Sequence, residues 1–380
     1  MQIKRVGLVT SNLGQGGVGR NMLNLAQEFA RKGIETDLFL VNRETGSRLS
    51  EIPSGVNVFH GAGRARNSII KLVEYLRLRE PDAVISGPSR INPLCIAAKL
   101  IARKRVTVIT TYRSNRVIEL QNMGTRGKLQ EYLGGHLYRF ADALVGVSEG
   151  VTQSLRQTLP GVPDTVTTIY NPAYREPLSQ HSEADCPHPW LGRREFSTLV
   201  SAGRLEKQKD FPTLLHALAI ANRKKDVRLI VLGDGSLREQ LKQEAENLGV
   251  SHKVSWVGYV DNPRVYFPLS DGFVLSSMWE GFGNVIVEAL GEGVPVVSTD
   301  CPSGPSEILA GGVYGRLVRP QEPGELAQAI NEMIGEQPDR AALRARAYEF
   351  SAEVAAERYL SLIAALAPPK GQGSKKQTSP

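Results

Sequence analysis

Short apolar runs alternate along this chain with longer stretches whose apolar residues recur every three or four positions. In the first half the runs predict strands at Ile3–Val9, Thr36–Leu40, Ala83–Ser86, Val106–Thr110, Ala143–Val147 and Val166–Ile169. The helical period lies between them, at Val18–Arg31, Ser68–Arg79, Pro93–Ala102, Lys128–Phe140 and Gly150–Thr158. The second half restarts with strands at Thr198–Ala202, Arg228–Leu232, Val254–Val257, Gly272–Leu275 and Pro295–Ser298. Its helices are Pro212–Ala221, Leu237–Leu248, Arg264–Leu269, Val285–Leu290, Pro323–Ile334 and Ala341–Phe350. Continuous apolar strands joined by crossover helices build parallel sheets covered on both faces. The fold class is therefore α/β, with two doubly wound domains over 1–175 and 196–350. Residues 171–195 hold prolines 172, 177, 187 and 189 without clear periodicity, which is a linker composition. An amphipathic helix is expected at 352–367, and the Gly/Ser/Lys/Pro-rich tail 368–380 is expected to be disordered. Two such domains put their ligand crevice at the carboxyl ends of the strands, between them.

Four bends beside that crevice carry candidate chemistry. After the first strand, Gly14, Gly16, Gly17 and Gly19 precede a helix, so unpaired amides point outward and glycine lets an anion approach. The spacing is not a dinucleotide fingerprint, because no acidic residue follows at the required place. The second domain opens with Gly203-Arg204-Leu205-Glu206-Lys207-Gln208-Lys209. An arginine and a lysine just past a strand can neutralise a diphosphate, one as a fork and one as a point charge. Lys207 competes with Lys209 for the second role. Gly258 and Tyr259 end another strand. Last, Glu280-Gly281-Phe282-Gly283-Asn284 leads into an apolar helix containing Glu288. Eight residues at 100° each leave the two carboxylates about 80° apart on a continuous helix. Glu280 is therefore expected in the turn and Glu288 two turns inside the helix, at different depths of one pocket.

Charge changes the picture modestly. The net charge is +7, but residues 1–170 hold 23 Lys+Arg against 13 Asp+Glu, and the remainder 23 against 26. A basic first half suits anionic lipid headgroups or a phosphate-bearing acceptor. No nucleic-acid motif accompanies it. Hydrophobic residues make up 41% and charged residues 22%, as in soluble globular proteins, and no apolar run is long enough to span a bilayer. The N-terminus goes straight into a strand without a signal-peptide pattern. Cys95, Cys186 and Cys301 are too few and too scattered for a disulfide framework or a zinc site, which favours a reducing cytoplasm. There is no Asp-x-Asp pair of the kind that lets Mg²⁺ or Mn²⁺ bridge phosphates.

The extended segment Ser276–Asn284 with Glu288 resembles the E-x7-E signature of the family-4 retaining glycosyltransferases, which have the two-domain GT-B fold. Gly203, Arg204, Leu205 and Lys209 are similar to that family's G-R-L-x-x-x-K motif, and the following Asp210-Phe211 favours Lys209 over Lys207. The resemblance implies a metal-independent transferase without a cofactor, which moves a hexose or N-acetylhexosamine from a nucleotide-sugar, UDP favoured over GDP. Arg204 and Lys209 would stabilise the leaving diphosphate, Glu280 would hold the sugar and Glu288 the ribose. Gly16 and Gly17 would touch the donor diphosphate or the acceptor; Gly203, Gly258, Tyr259, Gly281, Phe282, Gly283 and Asn284 would line the donor site. The helix 352–367 would cross back onto the first domain. Gly304-Pro305-Ser306-Glu307-Ile308 resembles a variant found in bacterial enzymes acting on lipid-linked saccharides, so the acceptor would be lipid-linked or lipopolysaccharide, with the protein peripheral on the inner leaflet.

One position departs from the family. Many relatives carry a histidine near the sugar after the fourth strand, and here that stretch is Thr110–Asn115. Arg113 or Ser114 would replace it. A GT-B sugar-nucleotide 2-epimerase, which needs no acceptor, and a non-catalytic nucleotide-sugar-binding protein are the alternatives.

Overall fold

The computed structural model describes residues 3–14, 16–42, 48–63, 65–178 and 186–367. The tail 368–380, expected to be disordered, lies outside the described residues. Strands β1 (Arg5–Thr10), β2 (Glu35–Leu40), β3 (Val56–His60), β4 (Ala83–Ser86), β5 (Thr107–Tyr112), β6 (Ala143–Gly146) and β7 (Val166–Thr168) form a parallel sheet in the order β3-β2-β1-β4-β5-β6-β7. Between them run α1 (Gly17–Arg31), α2 (Ala65–Arg79), α3 (Asn92–Ala102), α4 (Arg116–Gln121), α5 (Thr125–Gly135) and α6 (Glu149–Thr158). The second lobe holds β8 (Ser197–Ala202), β9 (Val227–Leu232), β10 (Val254–Gly258), β11 (Gly272–Leu275), β12 (Val296–Thr299) and β13 (Arg316–Val318), ordered β10-β9-β8-β11-β12-β13. Its helices are α7 (Phe211–Ala221), α8 (Arg238–Asn247), α9 (Asn284–Gly291), α10 (Pro305–Ile308), α11 (Pro323–Met333) and α12 (Arg340–Tyr348). A final helix, α13 (Ala352–Leu366), packs Ala355, Ala356, Tyr359 and Ile363 into the first lobe's core with Val6, Leu8 and Phe29.

Each sheet reverses its order once, between β1 and β4 and between β8 and β11. Ligands of open parallel sheets bind outside the carboxyl ends of the strands at such a point. The glycine bend at 14–17 leaves β1, the Arg204–Lys209 segment leaves β8, and Ser276–Gly283 leaves β11. The topology therefore sets one candidate bend at the reversal of the first sheet and two at that of the second, and the contact of Gly17 with Asn284 brings the two reversals together.

Several elements differ from the periodicity reading. β3, β13 and α4 were not expected: the two strands lie at sheet edges, half exposed, and lack a continuous apolar run. The helix expected over Lys128–Phe140 starts at Thr125 and gives way to a 3-10 turn at His136. Gly135 ends it, and a Cβ there would stand 2.8 Å from the Pro160 ring. Arg264–Leu269 is only a short 3-10 turn over Pro263–Tyr266.

Candidate functional site

β8 ends at Ala202, and the chain turns through Gly203 into a 3-10 turn at Lys207–Lys209. The carbonyl of Gly203 comes so close to Gly233 that a Cβ on the latter would stand 1.9 Å from it. Asp210, with φ +46°, caps α7 by accepting from the Thr213 amide and hydroxyl. That turn is stitched to the segment leaving β11: Met278 donates to the Gln208 carbonyl (2.8 Å), Gln208 to that of Trp279 (2.8 Å), and the Ser276 hydroxyl to that of Lys209 (2.8 Å). The stitching delivers the Lys209 ammonium to Glu280 Oε1 at 2.5 Å, where the Ser277 hydroxyl also donates at 2.7 Å. Glu280 is 7% exposed. Lys207 stays on the surface, and Arg204 is exposed with its guanidinium in no ion pair among the described residues.

Gly283, with φ +101°, turns the chain into α9, whose first amides have no side-chain cap. Such an N-terminus attracts anions. The α1 terminus at Gly16 (φ +116°) is likewise uncapped, and it stands opposite: a Cβ on Gly17 would lie 2.4 Å from Asn284 Nδ2. Glu288 sits just over one turn inside α9, rather than two, because the helix begins only at Asn284. Glu288 is partly exposed overall, but its Oε2 is shielded from solvent and has no hydrogen-bond partner. Burial raises its pKa, and the nearby Arg20, Arg264, Arg175 and Arg48 offset part of that. A shielded carboxylate facing cations without a direct bond is a vacant acceptor.

The remaining candidates border the same gap. Gly258 (φ +90°) accepts from the Gly233 amide at 2.7 Å. The Tyr259 hydroxyl donates to Asp261 (3.0 Å), whose carbonyl accepts from Arg20 of the first lobe (3.1 Å). Gly281 meets the first lobe so closely that a Cβ would stand 1.9 Å from the Arg113 carbonyl. The Phe282 ring is buried, stacked on Tyr170 and edge-on to Phe350. Ser114 gives its hydroxyl to Glu119. Arg113 donates from Nη1 to Asn171 Oδ1 (2.9 Å) and keeps a shielded, unpartnered Nε, and burial lowers its pKa.

Asn171 and Asn21 escaped the sequence reading, as did the reach of Glu307 to the other lobe. Arg113, Asn171, Asn284 and Asn21 form a relay across both lobes: Asn171 Nδ2 donates to Asn284 Oδ1 (3.0 Å), and Asn284 Nδ2 to Asn21 Oδ1 (3.5 Å). Glu307 of the second lobe caps α6 of the first, accepting from the Glu149 and Gly150 amides at 2.7 and 3.0 Å. Asn171-Pro172 signals only a turn in sequence, and a carboxylate capping a helix 157 residues away leaves no local pattern.

Replacing Glu288 with glutamine tests the vacant acceptor. A carboxyl whose folded pKa is raised stabilises the fold below its unfolded pKa and loses that contribution as pH rises. The melting temperature of Glu288→Gln relative to wild type is therefore expected to rise from pH 4 to pH 8 by thermal denaturation. Nucleotide affinity is expected to fall about tenfold or more, the scale of a hydrogen bond to a charged group. A difference that shrinks with pH would contradict the assignment.

The match to known proteins follows the two lobes. Residues 15–174 match the family model Glycosyltransferase Family 4, and residues 192–350 match Glycosyl transferases group 1. The chain is 25% identical over 355 residues to the N-acetylgalactosamine-N,N'-diacetylbacillosaminyl-diphospho-undecaprenol 4-alpha-N-acetylgalactosaminyltransferase of Campylobacter jejuni, covering 91% of this chain and 94% of the relative. It is 27% identical over 347 residues to the lipopolysaccharide 1,6-galactosyltransferase of Escherichia coli, covering 88% and 89%. Among solved structures it superposes on Anabaena HepE in complex with UDP-glucose with a TM-score of 0.78 at 21% identity, over 95% of this chain and 99% of that one. The lipopolysaccharide outer core galactosyltransferase WaaB, in its apo form, gives 0.73 at 18%, over 96% and 100%. At these identities the structural likeness establishes the fold.

Proposed function

Since the chain belongs to the two-lobed GT-B glycosyltransferases of family-4 type, we propose that it transfers a hexose or N-acetylhexosamine from a nucleotide-sugar, UDP rather than GDP, to a lipid-linked saccharide or lipopolysaccharide acceptor, with retention. The observation that carries the reading is the meeting of Lys209, Glu280, the uncapped N-terminus of α9 and the unpartnered Glu288 in one interlobe gap. The gap offers cations and amides for a diphosphate, with a carboxylate on each side for sugar and ribose hydroxyls.

In this reading the donor's diphosphate draws Lys209 from Glu280, and Arg204 adds a second cation. The bond between the anomeric carbon and the phosphate oxygen breaks, and the electron pair leaves with the diphosphate. Lys209, Arg204 and the α9 amides stabilise that growing charge, the term that usually contributes most to catalysis. The acceptor hydroxyl bonds to the anomeric carbon on the same face, and its proton passes to the departing phosphate. Glu280, released from Lys209, orients the sugar. Arg113 takes the place of the family's histidine, because its Nε is free whereas the Ser114 hydroxyl is held by Glu119. No metal is needed when side chains and amides carry the charge. The acceptor is presented at an anionic membrane surface on which the basic first lobe rests; among the described residues no helix is long and apolar enough to cross a membrane.

A panel of UDP, GDP, ADP and their sugars, scored by thermal shift with and without EDTA, tests this. Ligand at 100 times its dissociation constant stabilises by about 2.7 kcal/mol. UDP and one UDP-sugar are expected to raise the melting temperature equally in EDTA. A shift that appears only with Mn²⁺ would contradict metal independence, and a shift with GDP alone would contradict the choice of base.

A further inference from the structure

Arg113 carries a charge that the fold does not answer. It follows β5, and its carbonyl abuts Gly281, the residue next to Glu280. Tyr359, also buried, is the one titratable group among the described residues that acts on the guanidinium; no carboxylate does. A shielded cation without a counter-charge costs free energy that folds normally avoid by pairing it. Yet this guanidinium is held in place. Its Nη1 donates to Asn171 Oδ1 at 2.9 Å, and Asn171 is itself fixed by Asn284 at 3.0 Å. That leaves Nε and Nη2 without hydrogen-bond partners among the described residues. These two nitrogens lie along one edge of the guanidinium plane, with parallel N–H bonds spaced for the two oxygens of a carboxylate. Thr111 precedes Arg113 by two positions, and its hydroxyl is likewise shielded and unpartnered. A Cβ on Gly87, just after β4, would stand 2.4 Å from Thr111 Oγ1 and 3.1 Å from Arg113 Nε, so this glycine leaves both donors uncovered by a side chain.

We propose that Arg113 is the fork for a carboxylate on the transferred sugar, so that the donor is a nucleotide-hexuronic acid, a hexose whose exocyclic carbon is oxidised to the acid. The sugar is favoured over the diphosphate as the anion because Lys209, Arg204 and the α9 amides already serve the diphosphate from the second lobe. Arg113 comes from the first lobe and meets the turn that carries Glu280. The two side chains then divide the sugar between them: Glu280 accepts from its hydroxyls, and Arg113 pairs with its acid. A neutral hexose would leave the guanidinium uncompensated. This assignment narrows the hexose of the reading above, and it rests on that reading, since it needs the donor sugar beside Glu280.

The test is isothermal titration of the full chain with UDP, UDP-glucose, UDP-galactose, UDP-N-acetylglucosamine, UDP-glucuronic acid and UDP-galacturonic acid. One UDP-hexuronic acid is expected to bind wild type about tenfold or more tighter than the matching UDP-hexose, the scale of a hydrogen bond to a charged group. Arg113→Gln is expected to erase that preference. Its affinity for UDP, which carries no sugar, is expected to stay within about threefold of wild type, and this shows that the variant is folded. Arg113→Lys keeps the charge without the fork and is expected to recover only part of the preference. Wild type that binds a neutral UDP-sugar as tightly as either hexuronic acid, or more tightly, would overturn the assignment and leave the transferase reading standing. Arg113→Gln that keeps the preference would overturn it too. So would equal losses for UDP and for the hexuronic acid, because the guanidinium would then belong to the diphosphate. Wild type that binds none of the UDP compounds would sink the reading of the donor, and this assignment with it.

Discussion

Replacing Lys209 with alanine is expected to lower the rate of sugar transfer by about 10²- to 10³-fold, the scale of removing one preorganised group that stabilises developing charge. The effect belongs mainly in kcat, because the departing diphosphate carries more charge than the bound donor. The same change strands Glu280, a nearly buried carboxylate whose remaining side-chain donor is Ser277. A buried charge left without its partner destabilises the fold, so the melting temperature of the free protein should fall as well. Lys209→Ala/Glu280→Ala separates the two effects: it should restore the melting temperature and leave transfer as low as in Lys209→Ala or lower. Lys207→Ala is the control, since that ammonium is exposed, and should lose less than threefold. Turnover of Lys209→Ala within threefold of wild type would remove the central cation from the reaction.

Gly281→Ala should be the most damaging change of a single methyl group. The Arg113 carbonyl occupies the position where the new Cβ would stand, at 1.9 Å, and a backbone oxygen cannot rotate away as a side-chain tip can. Ser148 holds the neighbouring Gly281 carbonyl at 2.8 Å, so the seam resists local relaxation. Either the lobes part or the turn carrying Glu280 shifts. Overpacking of this kind costs about 1–3 kcal/mol, which predicts about 5- to 150-fold slower transfer at about 1.4 kcal/mol per decade. Because the clash lies between lobes rather than within one, UDP affinity should change less than turnover. A kinetic comparison with UDP titration checks this; equal losses in both would place the damage in the second lobe itself.

The parts of this molecule legible in sequence are those written locally. The buried strands of both sheets are continuous apolar runs, and the bends at Gly16–Gly17, Gly203–Lys209 and Glu280–Asn284 are short segments at strand ends. The topology then sets each at a reversal of strand order, beside β1 in the first sheet and beside β8 and β11 in the second. What stayed hidden is made by closure of one lobe on the other. Asn171 is a linker residue until Arg113 and Asn284 meet it, and Glu307 is one more acid until the α6 amides reach it. Within the second lobe, the stitching of Gln208 to Met278 and Trp279 turns toward Glu280 the lysine that the Asp210-Phe211 match already favoured, Lys209 rather than Lys207. Edge strands such as β3 fail for a simpler reason, since half of their surface is wet and their apolar run is broken.

The path of α13 has a mechanical consequence. The backbone passes between the halves twice, at the proline-rich stretch after Asn171 and again beside Phe350, where Tyr174 N donates to the Phe350 carbonyl at 3.0 Å. Two tethers side by side leave one easy rotation, a hinge whose axis runs through them. Tyr170, Phe282 and Phe350 cluster around that axis, and Glu280 is two residues from its aromatic pivot. Rotation about that axis would part the contacts the lobes share across the gap, the Asn171–Asn284–Asn21 relay and the Arg20 bond to the Asp261 carbonyl.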